Sequence, residues 1–89
     1  MDPNDRRTIS VPRHIPGDGL RIEPEGGRLT VSLAAGEVVI AGDAAGLRDL
    51  ARWCLALSDS EVPPGAHAHL DPGVGLEDDS VSLIVERRD

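Results

Sequence analysis

Aromatic side chains are almost missing from this chain of 89 residues, which has no Phe, no Tyr and a single Trp. Leu, Val, Ile and Ala must therefore fill the core, which suits short β-branched strands packed under a helix. A chain of this size forms one domain and buries roughly two-thirds of the surface that its unfolded form exposes. We expect a flexible N-terminus over residues 1–7 and a single small domain over residues 8–89.

Cysteine and long hydrophobic runs are equally scarce. The lone Cys54 cannot form an intrachain disulfide. No apolar run approaches the ~20 residues that a membrane-spanning helix needs. The first residues also lack the apolar segment of a secretory signal. These absences predict a cytoplasmic protein that does not insert into a membrane.

Positive charge is in short supply. All nine basic residues are Arg, and the net charge is −7. Six acids lie within residues 58–79, a stretch without Arg, namely Asp59, Glu61, Asp71, Glu77, Asp78 and Asp79. Such a segment disfavours nucleic acid and favours a basic protein partner, although a solvated, solubilising face is the plainer explanation.

One amphipathic helix is predicted over about residues 43–58. Asp43 is a suitable N-cap for it, and Pro63 and Pro64 prevent its continuation. The apolar stripe predicted to face the core consists of Leu47, Leu50, Ala51, Cys54 and Leu57. The side predicted to face solvent carries Arg48, Asp49 and Arg52.

Short segments of alternating polarity predict the strands. They are residues 8–11, 20–23, 29–33, 37–41, 66–71 and 81–86, the first of them the weakest. The run over 37–41 is uniformly apolar and predicts a central strand, whereas the last two segments form a hairpin with its loop at 72–79. The prediction is an α+β two-layer sandwich, with one mostly antiparallel sheet of about five strands and the single helix packed across one face.

His67, His69 and Asp71 share one face of a predicted strand. Two imidazoles and a carboxylate are a metal-binding set, but a further ligand would have to come from the loop at 77–79. A surface strand with polar outer positions explains the same pattern more simply, so no cofactor is predicted.

Two helical residues are candidates for special roles. Cys54 lies in the predicted stripe and is interpreted as a small core residue without a nucleophilic role. Trp53 lies at the edge of the stripe, where it either completes the core or anchors a partner. The chain has no phosphate-binding loop and no nucleophile elbow, so it is predicted not to be an enzyme.

Three segments resemble bacterial immunity protein family 32. They are VIAGDAAGLR at 39–48, PGAHAHLDP at 64–72 and LEDDSVSLIV at 76–85. The resemblance implies a protein that neutralises a toxin of a polymorphic toxin system by binding it. The acidic second half fits that role, because opposite charge speeds association with a basic toxin domain.

The functional prediction is therefore an immunity-type protein that binds a cognate toxin through an acidic surface. Its predicted partner-binding residues are Trp53, Asp59, Glu61, Asp71, Glu77, Asp78 and Asp79. Two alternatives stay open at this point. One is a small accessory or dimerising protein that associates as a homodimer through the uncovered sheet face, and the other is a metal-binding protein that uses His67, His69 and Asp71.

Overall fold

A computed structural model describes residues 6–11 and 22–89 of the chain. In these residues the chain forms five short strands and one helix. Their order is β1 (Leu29–Ala34), β2 (Glu37–Gly42), α1 (Ala44–Leu57), β3 (His67–Pro72), β4 (Gly75–Leu76) and β5 (Leu83–Glu86). The predicted α+β class is confirmed, and the helix lies where the sequence predicts it.

Strands β1 and β2 form an antiparallel hairpin, with Ala34 opposite Glu37. The two-residue turn between them takes positive φ angles, 52° at Ala35 and 78° at Gly36, as a turn that matches the twist of the strands requires. Leu29 and Val31 of β1 are buried. All six residues of β2 are exposed, and β2 is an edge strand. The prediction of a central strand was wrong, because β2 has no strand neighbour other than β1 in the part of the chain that the structure describes, which leaves this apolar segment at the edge.

The start of α1 is tied to the start of β1. The Asp43 carboxylate accepts hydrogen bonds from the Gly46 N–H at 2.8 Å and from the Arg28 N–H at 3.0 Å. The Asp43 N–H in turn donates to the Arg28 carbonyl at 3.1 Å. Two backbone hydrogen bonds lower the pKa of Asp43, and the bond from Gly46 has a larger effect than the bond from Arg28. The helix cap therefore also fixes where the helix leaves the hairpin.

The helix packs through a stripe that only partly matches the prediction, because Leu50 and Leu57 face the core as predicted whereas Leu47 and Cys54 do not. Gly46, Ala56 and Leu57 are buried, and Leu50 and Trp53 pack against the core. Leu47 is 46% exposed and Cys54 is also exposed. The reason is the close approach at Gly46, where an added Cβ would overlap the Arg28 carbonyl. That contact turns the face carrying Gly46 and Trp53 towards the sheets.

The C-terminal strands form a second sheet in the order β4-β3-β5. Strand β5 pairs antiparallel with β3, and His67 lies opposite Glu86. The predicted alternation in β3 is confirmed, since Ala68 and Leu70 are buried whereas His67 and His69 are exposed. The connection from β3 to β5 is more than a loop, because it contains β4, which pairs parallel with β3.

The strands form two sheets, which meet along β1, so the prediction of a single sheet was wrong. The Glu77 N–H donates to the Leu29 carbonyl at 2.9 Å, and the Val81 N–H donates to the Val31 carbonyl at 2.8 Å. The Ser80 hydroxyl oxygen accepts the Val31 N–H at 3.1 Å. This segment is too irregular to be a strand, but it satisfies the second edge of β1. Sheets of two and three strands result, with the helix packed against both.

The core consists of two apolar clusters that share Trp53. One contains Leu29, Val31, Leu70 and Leu76, and the other contains Leu57, Val62 and Ala68. Because the partly buried Trp53 packs against both, the single aromatic residue of the chain joins the two clusters.

The N-terminal strands predicted from the sequence do not form in the described residues. Residues 8–11 are irregular and lie beside the helix, where Arg7, Thr8 and Ile9 line a groove with Leu47 and Ala51. The groove runs along part of the helix surface that was predicted to face the sheet. Residues 22 and 23 are also irregular, and the rest of the predicted strand 20–23 lies outside the described residues.

Glu25 holds the segment before β1 against the helix. Its carboxylate pairs with Arg48 at 2.8 Å and with Arg52 at 2.5 Å, and Arg52 also pairs with Asp49 at 3.2 Å. The Glu25 N–H donates to the Asp49 carboxylate at 2.9 Å. Arg48, Asp49 and Arg52 therefore do not simply face solvent, as predicted, because the chain before β1 folds over them. The hydrogen bonds from Arg48 and then Arg52 lower the pKa of Glu25 to about 2.

Replacing Gly46 with Ala tests the close approach of helix and hairpin. Helix propensity alone favours Gly46→Ala by ~1 kcal/mol. We expect the opposite sign, a loss of about 1–3 kcal/mol in urea unfolding, because the new methyl group would overlap the Arg28 backbone. A stabilised Gly46→Ala variant would show that the helix does not approach the hairpin this closely.

The low pKa of Glu25 predicts how stability depends on pH. A carboxyl group with a depressed folded-state pKa stabilises the protein above its unfolded value of about 4.5, and this contribution is lost as the pH falls towards about 2. We expect Glu25→Gln to lower the urea midpoint at pH 6, and the difference from the parent to shrink between pH 4.5 and pH 2. Glu37→Gln at the hairpin turn is the control for loss of one carboxylate. A difference that does not vary with pH would contradict the ion-pair assignment.

Candidate functional site

The outer face of the three-stranded sheet carries the row of polar residues predicted from the sequence. His69 Nε2 lies 3.0 Å from Asp71 Oδ1, and the Ser82 hydroxyl donates to the same oxygen at 2.6 Å. The His67 ring lies 3.2 Å from the Gly65 carbonyl through Nδ1. Each of these side chains therefore has a partner within its own surface.

This row is not arranged as a metal centre or as a catalytic triad. Among residues 6–11 and 22–89, no three His, Cys, Asp or Glu side chains are placed to hold a metal ion. The Ser82 hydroxyl bonds to Asp71 and not to an imidazole, so no base is positioned to activate it. The geometry describes a polar sheet surface in which Asp71 orders its two neighbours.

The predicted acidic residues separate into two groups at opposite ends of the helix. Glu77 and Asp79 border a groove with Asp43 at the helix start, and Asp71 and Asp78 belong to the same turn-rich end of the second sheet. Asp59 and Glu61 directly follow the helix end. A helix of 14 residues is about 20 Å long, so the two groups lie well apart. We call the two groups the start-side acids (Asp43, Asp71, Glu77, Asp78 and Asp79) and the exit-side acids (Asp59 and Glu61).

A shallow groove of about 390 Å³ lies among the start-side acids. Its lining includes Asp43, Glu77 and Asp79, together with the first residues of β1 and the last of β2. Among the described residues of the lining, Arg28 is the one basic residue, and its guanidinium lies 4.0 Å from the Asp43 carboxylate. Because the Asp43 pKa is lowered, this carboxylate keeps its charge at neutral pH. Carboxylates therefore outnumber the single Arg at this groove.

An Arg lies close to the exit-side acids, although the segment 58–79 itself contains no Arg. Arg87 donates to the carbonyl of Leu57 at 2.8 Å and to the carbonyl of Asp59 at 3.1 Å. The guanidinium satisfies the end of the helix, where a positive charge is favourable. Arg87 was missed because it is 28 residues from Asp59 in sequence, and only the return of β5 brings the two together.

The two helical candidates lie in different environments from each other. Trp53 packs against both core clusters, and only part of its surface remains open. Cys54 is exposed, so its interpretation as a core residue was wrong. The helix turns Cys54 outward because Gly46, Leu50 and Trp53 occupy the face towards the sheets.

A sequence profile of the family described as Immunity protein 32 matches residues 37–88. The chain belongs to this family. The matched region contains β2, the helix and the whole second sheet, and therefore includes all the predicted partner-binding residues. Neither the curated proteins nor the solved structures gave a match to the chain.

The immunity protein 32 assignment agrees with the resemblance seen in the sequence and extends over a longer segment. The match begins at the hairpin turn, so β1 and the residues before it are outside it. In the part of the chain that the structure describes, no helix is long and apolar enough to cross a membrane.

A zinc titration tests the polar row on β3. We expect Zn²⁺ to leave the urea midpoint unchanged, because Asp71 already bonds to Ser82 and His69 and mass action stabilises only a protein that binds the ion. Calorimetry that finds a submicromolar site, lost in His67→Ala and His69→Ala, would contradict this expectation.

Proposed function

We propose that this protein neutralises a cognate bacterial toxin by binding it through an acidic surface, without catalysing a reaction. Membership of the immunity protein 32 family is the observation that carries the proposal. The absence of an ordered catalytic arrangement in the His67–Asp71 row of the described structure is consistent with it.

The start-side acids are the surface we assign to toxin binding. Five carboxylates lie at this end of the molecule, and within residues 6–11 and 22–89 the only basic residue that lines their groove is Arg28. Asp78 and Asp79 are exposed, so their charges are available to a partner. The exit-side acids are less suitable because Arg87 offsets their charge.

A basic toxin domain is the partner that this surface favours. Exposed charges act over about one Debye length, ~8 Å at physiological salt, and chiefly raise the association rate. Slow dissociation needs apolar contacts that exclude water. Trp53 can supply such a contact only through the part of its ring that the two core clusters leave exposed.

Charge reversal at the groove tests this assignment. The probe is the cognate toxin domain, isolated by pull-down from the native host, and its binding is followed by surface plasmon resonance at several salt concentrations. We expect the association rate to fall as salt rises, and Asp78→Arg with Asp79→Arg to lower it by about tenfold or more while the dissociation rate changes less.

The matched control reverses two acids at the opposite end of the molecule. Glu61→Arg with Glu86→Arg changes the net charge by the same amount, and both residues are exposed. We expect this control to lower the association rate far less than the start-side pair. Equal effects of the two pairs would contradict the assignment to the start-side acids, and a toxin that does not bind at all would contradict the proposed function.

A further inference from the structure

The free edge of β2 offers backbone groups for another strand. Within the described part of the chain, β2 pairs only with β1. The bond from the Asp43 N–H to the Arg28 carbonyl marks these two residues as a hydrogen-bonded pair. Bonded and non-bonded pairs alternate along an antiparallel ladder, so the odd-numbered residues of β2 bond to β1. The N–H and C=O groups of Val38, Ile40 and Gly42 therefore point outward.

This edge lacks the usual protection against association. Natural edge strands carry Pro, inward-pointing charges or a bulge that block a further strand. Strand β2 has no Pro, and its only charged residue is Glu37 at the first position. The hairpin also exposes apolar side chains on both faces, with Leu33 66%, Val38 61% and Ile40 38% exposed on one face and Val39 45% exposed on the other.

We propose that β2 pairs antiparallel with β2 of a second copy of this chain, across a two-fold axis at Val39. The two hairpins then form one continuous sheet of four strands in the order β1-β2-β2-β1. This surface differs from the sheet face that the sequence suggests for a homodimer. It also stands independently of toxin binding, because the edge carries no cluster of charges.

The register follows from symmetry and charge. A two-fold axis between antiparallel strands is perpendicular to the sheet, so residues that face each other across it must share a sheet face. A two-fold axis at Val39 places Val38 of one copy opposite Ile40 of the other, and Glu37 opposite Ala41. Centring on Ile40 would instead place Glu37 opposite Asp43, where like charges repel. The register at Val39 therefore pairs the outward-pointing groups without opposing two acids.

The same arrangement explains the exposed end of the hairpin. Leu29 and Val31 at the base are buried, whereas Leu33 on the same face is exposed next to the turn. An axis perpendicular to the sheet keeps the bodies of both copies on one side of it. Because the strands are antiparallel, the turn end of each hairpin lies beside the base of the other. The exposed Leu33 and Val38 then face the body of the second copy.

A second copy fits this edge better than a toxin strand does. The register pairs the strand with itself through uncharged residues, so no complementary sequence has to be assumed. A basic toxin would find little charge here to attract it, because Glu37 is the only ionisable residue of β2. We therefore commit to self-association as the use of this edge.

Opposite charges at Val39 test both the dimer and its register. Sedimentation equilibrium of the full chain without toxin, up to millimolar concentration, should show twice the 9.4 kDa mass. In the proposed register, the two copies of Val39 form a non-bonded pair, in which side chains are closest. We expect Val39→Asp and Val39→Lys each to weaken dimerisation by about tenfold or more, and an equal mixture of the two variants to restore it.

Val74 supplies the matched control, because it is 69% exposed and lies in the turn between β3 and β4, away from the edge. Val74→Asp and Val74→Lys should leave dimerisation unchanged. Since each copy carries a net charge of −7, dimerisation should strengthen as salt screens the repulsion, the opposite of binding to a basic toxin.

Three results would overturn the proposal. One is a parent protein that stays monomeric at every concentration. Another is a dimer that Val39→Asp and Val39→Lys leave intact. The third is a pair of Val39 variants that dissociate but do not recombine on mixing, although circular dichroism shows that both are folded. A monomeric parent whose toxin binding is lost in Val39→Asp would assign the edge to the toxin instead.

Discussion

The junction between Asp43, Gly46 and Arg28 determines how the rest of the molecule is arranged. Asp43 accepts two backbone N–H groups and donates its own to the Arg28 carbonyl. Gly46 lets the helix approach that carbonyl without a Cβ in the way. Because the helix starts at a fixed point on the hairpin, its rotation is fixed as well. Trp53 is then directed between the two core clusters, the first of which joins residues of both sheets.

The limits of the sequence-based prediction are clearest in the helix and in β2. Element boundaries were predictable from N-capping, turns and periodicity, and Asp43, Ala35-Gly36 and the prolines mark them correctly. The buried face of the helix was predictable only in part. Counting apolar residues gives no weight to Gly46 and treats Trp53 as an edge residue. Periodicity measures hydrophobicity, whereas the closest approach of two backbones depends on the residue that lacks a side chain. Similarly, an apolar run such as β2 does not show whether another element packs over it or pairs with its edge.

The arrangement of the acidic residues in space does not follow from their positions in the sequence. Asp59 and Glu61 are separated from Asp78 and Asp79 by about one helix length, and Arg87 comes close to Asp59 only through the return of β5. Residues far apart in sequence meet through tertiary structure, which a local charge count cannot represent. The carboxylate of Asp43 illustrates the same limit, because a residue identified as a helix cap is also part of the acidic groove.

The two proposed surfaces meet at the end of β2, and this has a thermodynamic consequence. Ala41 and Gly42 line the acidic groove, and the proposed dimer register places Glu37 of the second copy opposite Ala41. Dimerisation would thus add a negative charge beside each groove, at a cost in repulsion. A basic toxin in the groove would offset that repulsion, so each association should favour the other by the same free energy. The coupling should weaken as salt rises, because the charges involved are exposed and screened over about ~8 Å. The acidic groove and the uncharged edge would then act together although they recognise different chemistry.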